Sequence, residues 1–357
     1  MSYKTCPHDP SIHQLTPNPD SDQIVLVEQL KEMIRTSGHC TNWVDDITIM
    51  RFLIARNFDI KKSYDLLITA LKWRKLRSVD SILDDKATWE PHMAAEVETG
   101  KIYLPGMDVH GRPVVIFDNT VQNTNNVDKQ MEFLAWSLEF AIRLMPPAVS
   151  DKYVVFMHLN SFSIFNCPPL KATRETISIL CSCFPERLGH CICYQPPTYF
   201  ITFYNTIKSF IDIKTRKKVV FISGDVSDGS PNDVTMRMII GDDWKKLTGA
   251  EQKVYQKNCS PGFQFDAYWP SVLARYDALI AGKHAMAIDN NDELGNSDDS
   301  MQPVIANAED DTKKEMKPVD AVSAGVTRTH WFVELLPTPA VVVLAAAIFL
   351  SWIMYIL

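Results

Sequence analysis

The sequence lacks the glycine-rich loops with which α/β enzymes usually hold phosphates and nucleotides. No G-x-G-x-x-G, G-x-x-x-x-G-K-[ST] or G-x-S-x-G pattern occurs in its 357 residues. The sequence also shows no convincing pair of a nucleophile and a base. His190-Cys191 resembles the start of a cysteine-phosphatase loop, but Pro197 stands where the phosphate-binding arginine is needed. We therefore expect no enzymatic activity and no catalytic residues.

A strongly basic region is also missing. The net charge is −7, and residues 281–336 contain eleven acidic and only five basic residues. The rest of the chain is nearly neutral, which gives no electrostatic footprint for nucleic acid. Residues 281–336 are poor in large apolar side chains as well, so we expect them to form a disordered acidic linker.

The cysteine spacing does not favour a metal site. The N-terminus lacks a secretory signal, so the eight cysteines are expected to be reduced thiols in the cytosol. The pairs Cys181-x-Cys183 and Cys191-x-Cys193 do not have the C-x-x-C spacing of common zinc sites. Metal binding is the open alternative, but the strand-like run HCICY favours buried thiols, and we expect no metal.

Long apolar runs without charge are missing upstream of residue 338. One such run occupies residues 338–357 (TPAVVVLAAAIFLSWIMYIL). At about 1.5 Å per helical residue this run extends roughly 30 Å, the thickness of the hydrocarbon core of a bilayer. Trp331 precedes the run, and Trp352 and Tyr355 lie near its end, as in aromatic interface belts. The pattern predicts a single-pass tail anchor over residues 337–357, with the preceding domain in the cytosol. A buried core helix is the alternative, although core helices usually have a polar face.

The strongly apolar anchor has no charge at its far end and few basic residues beside it. These properties favour the endoplasmic reticulum over the mitochondrial surface.

Three segments near the N-terminus have apolar residues at helical spacing. They cover residues 22–36, 45–56 and 60–76. They predict a helical subdomain over residues 22–90, which follows a flexible N-terminus at residues 1–21.

Further along the chain, apolar strands alternate with helices. We predict strands at residues 112–117, 153–159, 190–194 and 218–222, and helices at 128–144, 170–183 and 198–211. This alternation predicts right-handed crossovers and a mostly parallel sheet. Residues 91–280 should therefore form an α/β domain.

The helix predicted at residues 198–211 is unusually rich in aromatic side chains. In the simpler interpretation, the helix is buried against the sheet. In the alternative, it covers a large apolar cavity and moves to admit a hydrophobic ligand.

Four long blocks and three short stretches occur in an order that is specific for one family. The blocks are DDITIMRFLIARNFDIKKSYDLLITALKWRK (45–75), YLPGMDVHGRPVVIF (103–117), CFPERLGHCICYQPP (183–197) and IKSFIDIKTRKKVVFI (207–222). Together they resemble the CRAL-TRIO family of lipid-binding and lipid-transfer proteins. The stretches VQNT (121–124), LMPP (144–147) and DAYWPSVL (266–273) are most similar to its fungal phosphatidylinositol-transfer branch, which is linked to drug resistance and sterol homeostasis.

The resemblance implies a CRAL-TRIO fold that encloses one lipid, with no other cofactor. It also implies a headgroup site for phosphatidylinositol at Arg56, Glu186, Thr215 and Lys218. The helix at residues 198–211 would be the gate, with a pocket wall formed by Phe200, Phe203, Tyr204, Ile207 and Ile211. Without the resemblance, Arg56 could equally cap a helix, and Lys218 could be a solvated residue at the start of a strand.

Two departures from the family pattern affect the expected ligand and the pocket. Tyr153 and Val155 replace the small hydroxyl residues of the phosphatidylcholine site, so a sterol or another apolar molecule is the better second ligand. His158 replaces an acidic residue, and Thr248-Gly249 replaces a pair of glycines, which could alter pocket closure. The resemblance implies a membrane-tethered phosphatidylinositol carrier that could also present the lipid to a kinase. The alternative is a sterol binder or sensor without net transfer.

Overall fold

The computed structural model describes residues 15–39, 42–146, 149–162, 179, 182–207, 213–251 and 258–282. At residues 203, 206, 207 and 213–215 it describes the backbone alone. These residues all belong to one structural unit. Residues 283–357, which include nearly all of the predicted linker and the predicted anchor, lie outside the described residues, as does most of the helix predicted at 170–183. None of the helices in the described part of the chain is both long enough and apolar enough to cross a bilayer.

Aspartate caps begin each of the three predicted N-terminal helices. The helices are α1 (Ser21–Thr36), α2 (Asp46–Ala55) and α3 (Ile60–Leu76). Asp20 forms a capping box with Gln23, and Asp45 and Asp59 each accept a hydrogen bond from a backbone amide of the first turn. Such caps satisfy amides that have no partner within the helix. The helical predictions for this part of the chain are therefore confirmed.

The sheet contains five described strands, whose order in the sheet is their order in the chain. They are β1 (Ile102–Met107), β2 (Pro113–Phe117), β3 (Tyr153–His158), β4 (Leu188–Tyr194) and β5 (Val219–Ile222). The neighbours from β2 to β5 are parallel, and β1 is antiparallel to β2. The predicted α/β class with a mostly parallel sheet is confirmed. Strand β1 was not predicted, because Pro105 and Gly106 interrupt its strand pattern. Its pairing with β2 is irregular at the same place.

Seven further helices connect and flank the strands in the described part of the chain. They are α4 (Lys86–Val97), α5 (Val127–Leu144), α6 (Thr198–Ile207), α7 (Ile213–Lys218), α8 (Pro231–Ile239), α9 (Trp244–Leu247) and α10 (Phe265–Ile280). Helix α7 corrects one prediction. Lys218 is its last residue and not the first residue of a strand, because the basic run IKTRKK forms a helical turn before β5.

The two faces of the sheet pack against different helices. On one face, the rings of Phe221 in β5 and Tyr204 in α6 lie 4.8 Å apart between centroids. On the other face, the rings of Tyr194 in β4 and Trp244 in α9 lie 6.1 Å apart. Since side chains alternate along a strand, each residue of the sheet can be assigned to one face. We call these surfaces the α6 face and the α9 face.

Candidate functional site

The structure brings two of the four predicted headgroup residues together. Glu186 lies in the turn before β4, and Lys218 ends α7 just before β5. The Nζ atom of Lys218 is 3.8 Å from Oε2 of Glu186, and the two side chains retain 14% and 28% exposure, respectively. The pair is therefore accessible to solvent at the edge where the parallel strands begin.

The backbone of Glu186 has an uncommon conformation. Its φ is 57°, in the left-handed region, which costs about 1–2 kcal/mol for a residue with a side chain. The following residue is held in the sheet, because the amide of Tyr153 donates to the carbonyl oxygen of Arg187 at 2.8 Å. Pairing of the strands thus fixes the turn that presents Glu186. Such strain at a rim residue is typical of functional sites.

The other two predicted headgroup residues are not placed at this pair. Arg56 is the C-cap residue of α2, and its Nη1 donates to the carbonyl oxygen of Ala55 at 2.9 Å. The ion pairs among the described residues do not include one between Arg56 and Glu186. The backbone of Thr215 belongs to α7, but its side chain is not among those that the structure describes.

A buried charged cluster beside the pair was missed in the sequence. Lys152 is 8% exposed and immediately precedes β3, which places it beside the turn that holds Glu186. Asp151 accepts from Nη2 of Arg51 at 3.2 Å through Oδ2, and its carbonyl oxygen accepts from Nη1 of Arg187 at 2.9 Å. The run Ser150-Asp151-Lys152 has the composition of a polar turn, so only the neighbouring strands reveal its contacts.

Positively charged side chains are buried close together in this region. Burial, and then the neighbouring charge of Arg51, lowers the pKa of Arg187 to about 10. Burial also lowers the pKa of Lys152, an effect that Asp151 and Glu186 oppose and that Lys218 reinforces. Both shifts show that the positive forms are destabilised here. An anion bound nearby would relieve part of that destabilisation.

Helix α6 carries the predicted gate. Phe200 and Tyr204 are 1% and 8% exposed, and both rings contact the ring of Phe221 in β5. These two residues therefore pack on the sheet, as the simpler interpretation predicts. The backbone of Phe203 and Ile207 belongs to α6, while Ile211 lies outside the described residues.

The α6 face of the sheet is a continuous apolar surface. Eight of its residues are buried and Phe221 is partly exposed; together they are Val115, Phe117, Tyr153, Val155, Met157, Cys191, Cys193, Val219 and Phe221. Burial raises the pKa of Tyr204, which lies over this face, to about 12. The two thiols are buried as predicted, and no cluster suited to a metal ion occurs within the described residues. Hydrocarbon is the chemistry that this surface matches.

Two of the replaced positions, His158 and Thr248, meet in one contact. His158 ends β3 on the α9 face, and its Nε2 lies 2.8 Å from the carbonyl oxygen of Thr248. The imidazole is buried, and burial lowers the pKa of His158. A neutral histidine can donate a hydrogen bond to that carbonyl oxygen, whereas a carboxylate could not.

A separate cavity of about 650 Å³ lies between α2, α3, α5 and the turn at residues 183–187. Its buried charges are already paired, since Arg74 binds Glu139 at 2.7 Å and Asp80 at 2.6 Å. Neither Glu186 nor Lys218 lines it. It is a polar cleft and does not provide the apolar container that was predicted.

Comparisons with known proteins agree with this architecture. The CRAL/TRIO domain matches residues 97–231. The SEC14 cytosolic factor of Kluyveromyces lactis is 30% identical over 221 residues, which cover 58% of this chain and 72% of that protein. The phosphatidylinositol transfer protein PDR17 of Saccharomyces cerevisiae is 22% identical over 276 residues, which cover 73% of this chain and 74% of that protein.

A CRAL-TRIO domain-containing protein of Schizosaccharomyces pombe is 31% identical over 179 residues. The match covers 50% of this chain but only 17% of that protein, so the chain spans a small part of this relative. The domain match and the SEC14 relative, most of whose length is covered, together establish that this chain belongs to the CRAL/TRIO family.

Proposed function

We propose that this protein binds one molecule of phosphatidylinositol and transfers it between membranes. Its acyl chains would lie between the α6 face and α6, and its phosphate would contact Lys218. One observation carries the proposal: the solvent-accessible pair of Glu186 and Lys218 lies at the edge of a largely buried and mainly apolar sheet face. This arrangement matches a molecule with one charged end and two hydrocarbon chains. The name of the PDR17 relative supports the same lipid.

The energetics of lipid transfer explain why a closed pocket with a movable wall is needed. Two acyl chains present on the order of 1,000 Å² of apolar surface, so their exposure to water would cost roughly 25 kcal/mol at about 25 cal/mol per Å². A carrier must therefore open only against a bilayer. Helix α6 is the proposed gate, because its aromatic residues meet the sheet at Phe221 and could separate from it there. No covalent step is required, so the proposed activity is not enzymatic.

The proposal also includes a membrane tether. Residues 338–357 carry no charge and are long enough to span a bilayer as a helix. The acidic segment at residues 281–336 would then connect the lipid-binding domain to the endoplasmic reticulum membrane. From there the domain could carry lipid to an adjacent membrane or present it to a lipid kinase.

A sterol-like ligand is the second candidate. Val155 offers no hydroxyl on the α6 face, and the bulky ring of Tyr153 occupies space on the same face. Both features disfavour a second phospholipid with a polar headgroup at that position. They are compatible with a more compact apolar molecule, as in the branch linked to drug resistance and sterol homeostasis.

The proposal is tested by uptake of fluorescent phosphatidylinositol from donor vesicles by the full-length protein, reconstituted in acceptor vesicles. Lys218→Ala removes a charge-assisted contact worth about 1.5–3 kcal/mol, so the affinity should fall roughly 10- to 100-fold. Lys217→Ala is the matched control, because Lys217 belongs to the same helix but is exposed. Equal uptake by Lys218→Ala and the wild type would refute the headgroup site. Mass spectrometry of co-purifying lipids separates the two candidates, since a sterol without phosphatidylinositol would favour the second.

A further inference from the structure

The starts of three adjacent strands bring three charged side chains to one edge of the sheet. Lys152 precedes β3, Glu186 precedes β4 and Lys218 precedes β5. These strands are parallel neighbours in the order β3, β4, β5. Strands β3 and β4 begin opposite each other, at Tyr153 and Leu188, while β5 begins opposite Cys191. The glutamate comes from the middle strand.

Glu186 is held only loosely by Lys218. The separation of 3.8 Å between Nζ and Oε2 is longer than a hydrogen bond. The carboxylate also acts on Lys152, because the charge of Glu186 raises the pKa of Lys152 while that of Lys218 lowers it. Glu186 thus lies within the electrostatic reach of two lysines that repel each other.

Two of the neighbouring guanidinium groups, those of Arg112 and Arg51, are each paired with a carboxylate. Nε of Arg112 lies 2.6 Å from Oδ2 of Asp108. Asp151 pairs with Arg51 and also accepts from the backbone amide of Thr16 at 2.9 Å. Lys152, Lys218 and Glu186 together carry a net charge of about +1. A phosphodiester carries a charge of about −1 at neutral pH, so its binding would make the group electrically neutral.

We propose that Lys152 is a positioning residue for the headgroup site. In this arrangement, the ammonium of Lys152 retains the carboxylate of Glu186 while Lys218 turns to the phosphate. Lys152 does not contact the ligand; it prevents Glu186 from competing for Lys218. This inference rests on the proposed function, since it assigns a role within the same site.

The prediction concerns how two substitutions combine. Lys152→Met should lower the affinity for phosphatidylinositol about tenfold. Without Lys152, the carboxylate of Glu186 has only Lys218 as a partner, so the phosphate must displace Glu186 from Lys218. In the Glu186→Gln background, Lys152→Met should have no effect, because no carboxylate remains to compete. Methionine is of similar length and apolar, so it can fill the space of the buried lysine without burying a new polar group.

The experiment measures uptake of fluorescent phosphatidylinositol by the full-length protein in vesicles, for the wild type, both single variants and the double variant. Lys217→Met is the control for loss of one positive charge in α7 and should match the wild type. Lys152→Arg should restore uptake, because it restores the charge. If Lys152→Met does not fold, Lys152→Gln in the same two backgrounds provides the same comparison.

Two results would overturn the inference. The first is unchanged affinity in Lys152→Met, and the second is an equal relative loss on Lys152→Met in the wild-type and Glu186→Gln backgrounds, each compared with its own parent. Failure of the wild type to take up phosphatidylinositol is a different result, because it refutes the proposed function.

Discussion

Alanine at Gly249 should destabilise the protein far more than alanine at another glycine with a similar backbone. Gly249 has a φ of +72°, and a Cβ added there would lie 1.9 Å from the carbonyl oxygen and 2.5 Å from the carbonyl carbon of Pro261. These are backbone atoms, which cannot rotate away as a side chain can. Gly262 lies on the other side of the same contact, since a Cβ added there would be 2.7 Å from Cα of Gly249.

The expected magnitude has two parts. The left-handed conformation costs a residue with a side chain about 1–2 kcal/mol. Forcing the neighbouring backbone apart adds about 1–3 kcal/mol, as for other overpacked sites. Gly229 isolates the first part, because its φ is +80° and its Cβ would meet nothing within 4 Å. The two variants should therefore differ by about 1–3 kcal/mol in the free energy of unfolding.

The assay is urea unfolding of both variants, followed by tryptophan fluorescence. Trp244 is fully buried near this contact and should report its loss. The melting temperature offers a second readout, at roughly 2–4 °C per kcal/mol for a domain of this size. If Gly249→Ala and Gly229→Ala were equally stable, the close approach of the two chain segments would not have the energetic role assigned to it.

Two further predictions concern the gate and the buried histidine. Tyr199→Phe removes the hydroxyl that donates to the carbonyl oxygen of Phe162 at 2.9 Å. This change should speed phosphatidylinositol uptake severalfold and lower the free energy of unfolding by about 1 kcal/mol or less. Unchanged uptake kinetics would contradict the prediction. Burial lowers the pKa of His158, so the unfolded chain binds that proton more readily and stability should fall as the pH drops below about 6.5. His158→Gln should reduce the pH dependence of the free energy of unfolding by up to about 1.4 kcal/mol per pH unit. Urea unfolding between pH 5 and 7.5 measures this dependence. An equal dependence in the variant and the wild type would refute the role given to His158.

The elements that the sequence predicts are those with strong local signals. Helices α1, α2 and α3 have aspartate caps and regular apolar spacing, and β3 and β4 are continuous apolar runs. The elements that it missed lack such signals. Helix α10 contains Pro270, and α7 is a short basic run whose helical form depends on its position before β5.

In the candidate site, too, the sequence identified some residues, and others became evident only from the fold. The resemblance to the family selected Glu186 and Lys218, and the fold brings these two side chains to 3.8 Å. No local pattern could select Lys152, because its proximity to them arises from the pairing of three strands. The hydrogen bond between His158 and Thr248 is likewise a contact between distant parts of the chain. Long-range pairing is therefore what the sequence could not supply here.

The order of the strands has a consequence for how a ligand could reach a binding site on the sheet. Across the five described strands, the order never reverses, so this region has no switch point like the crevice where doubly wound proteins receive nucleotides. Right-handed crossovers that always advance in the same direction fall on a single side of the sheet. A lipid held on that side, as proposed above, would lie between the sheet and a layer of helices, so it could enter or leave only when part of that layer moves away from the sheet. The order of the strands thus favours a binding site that opens by a hinge-like movement of helices.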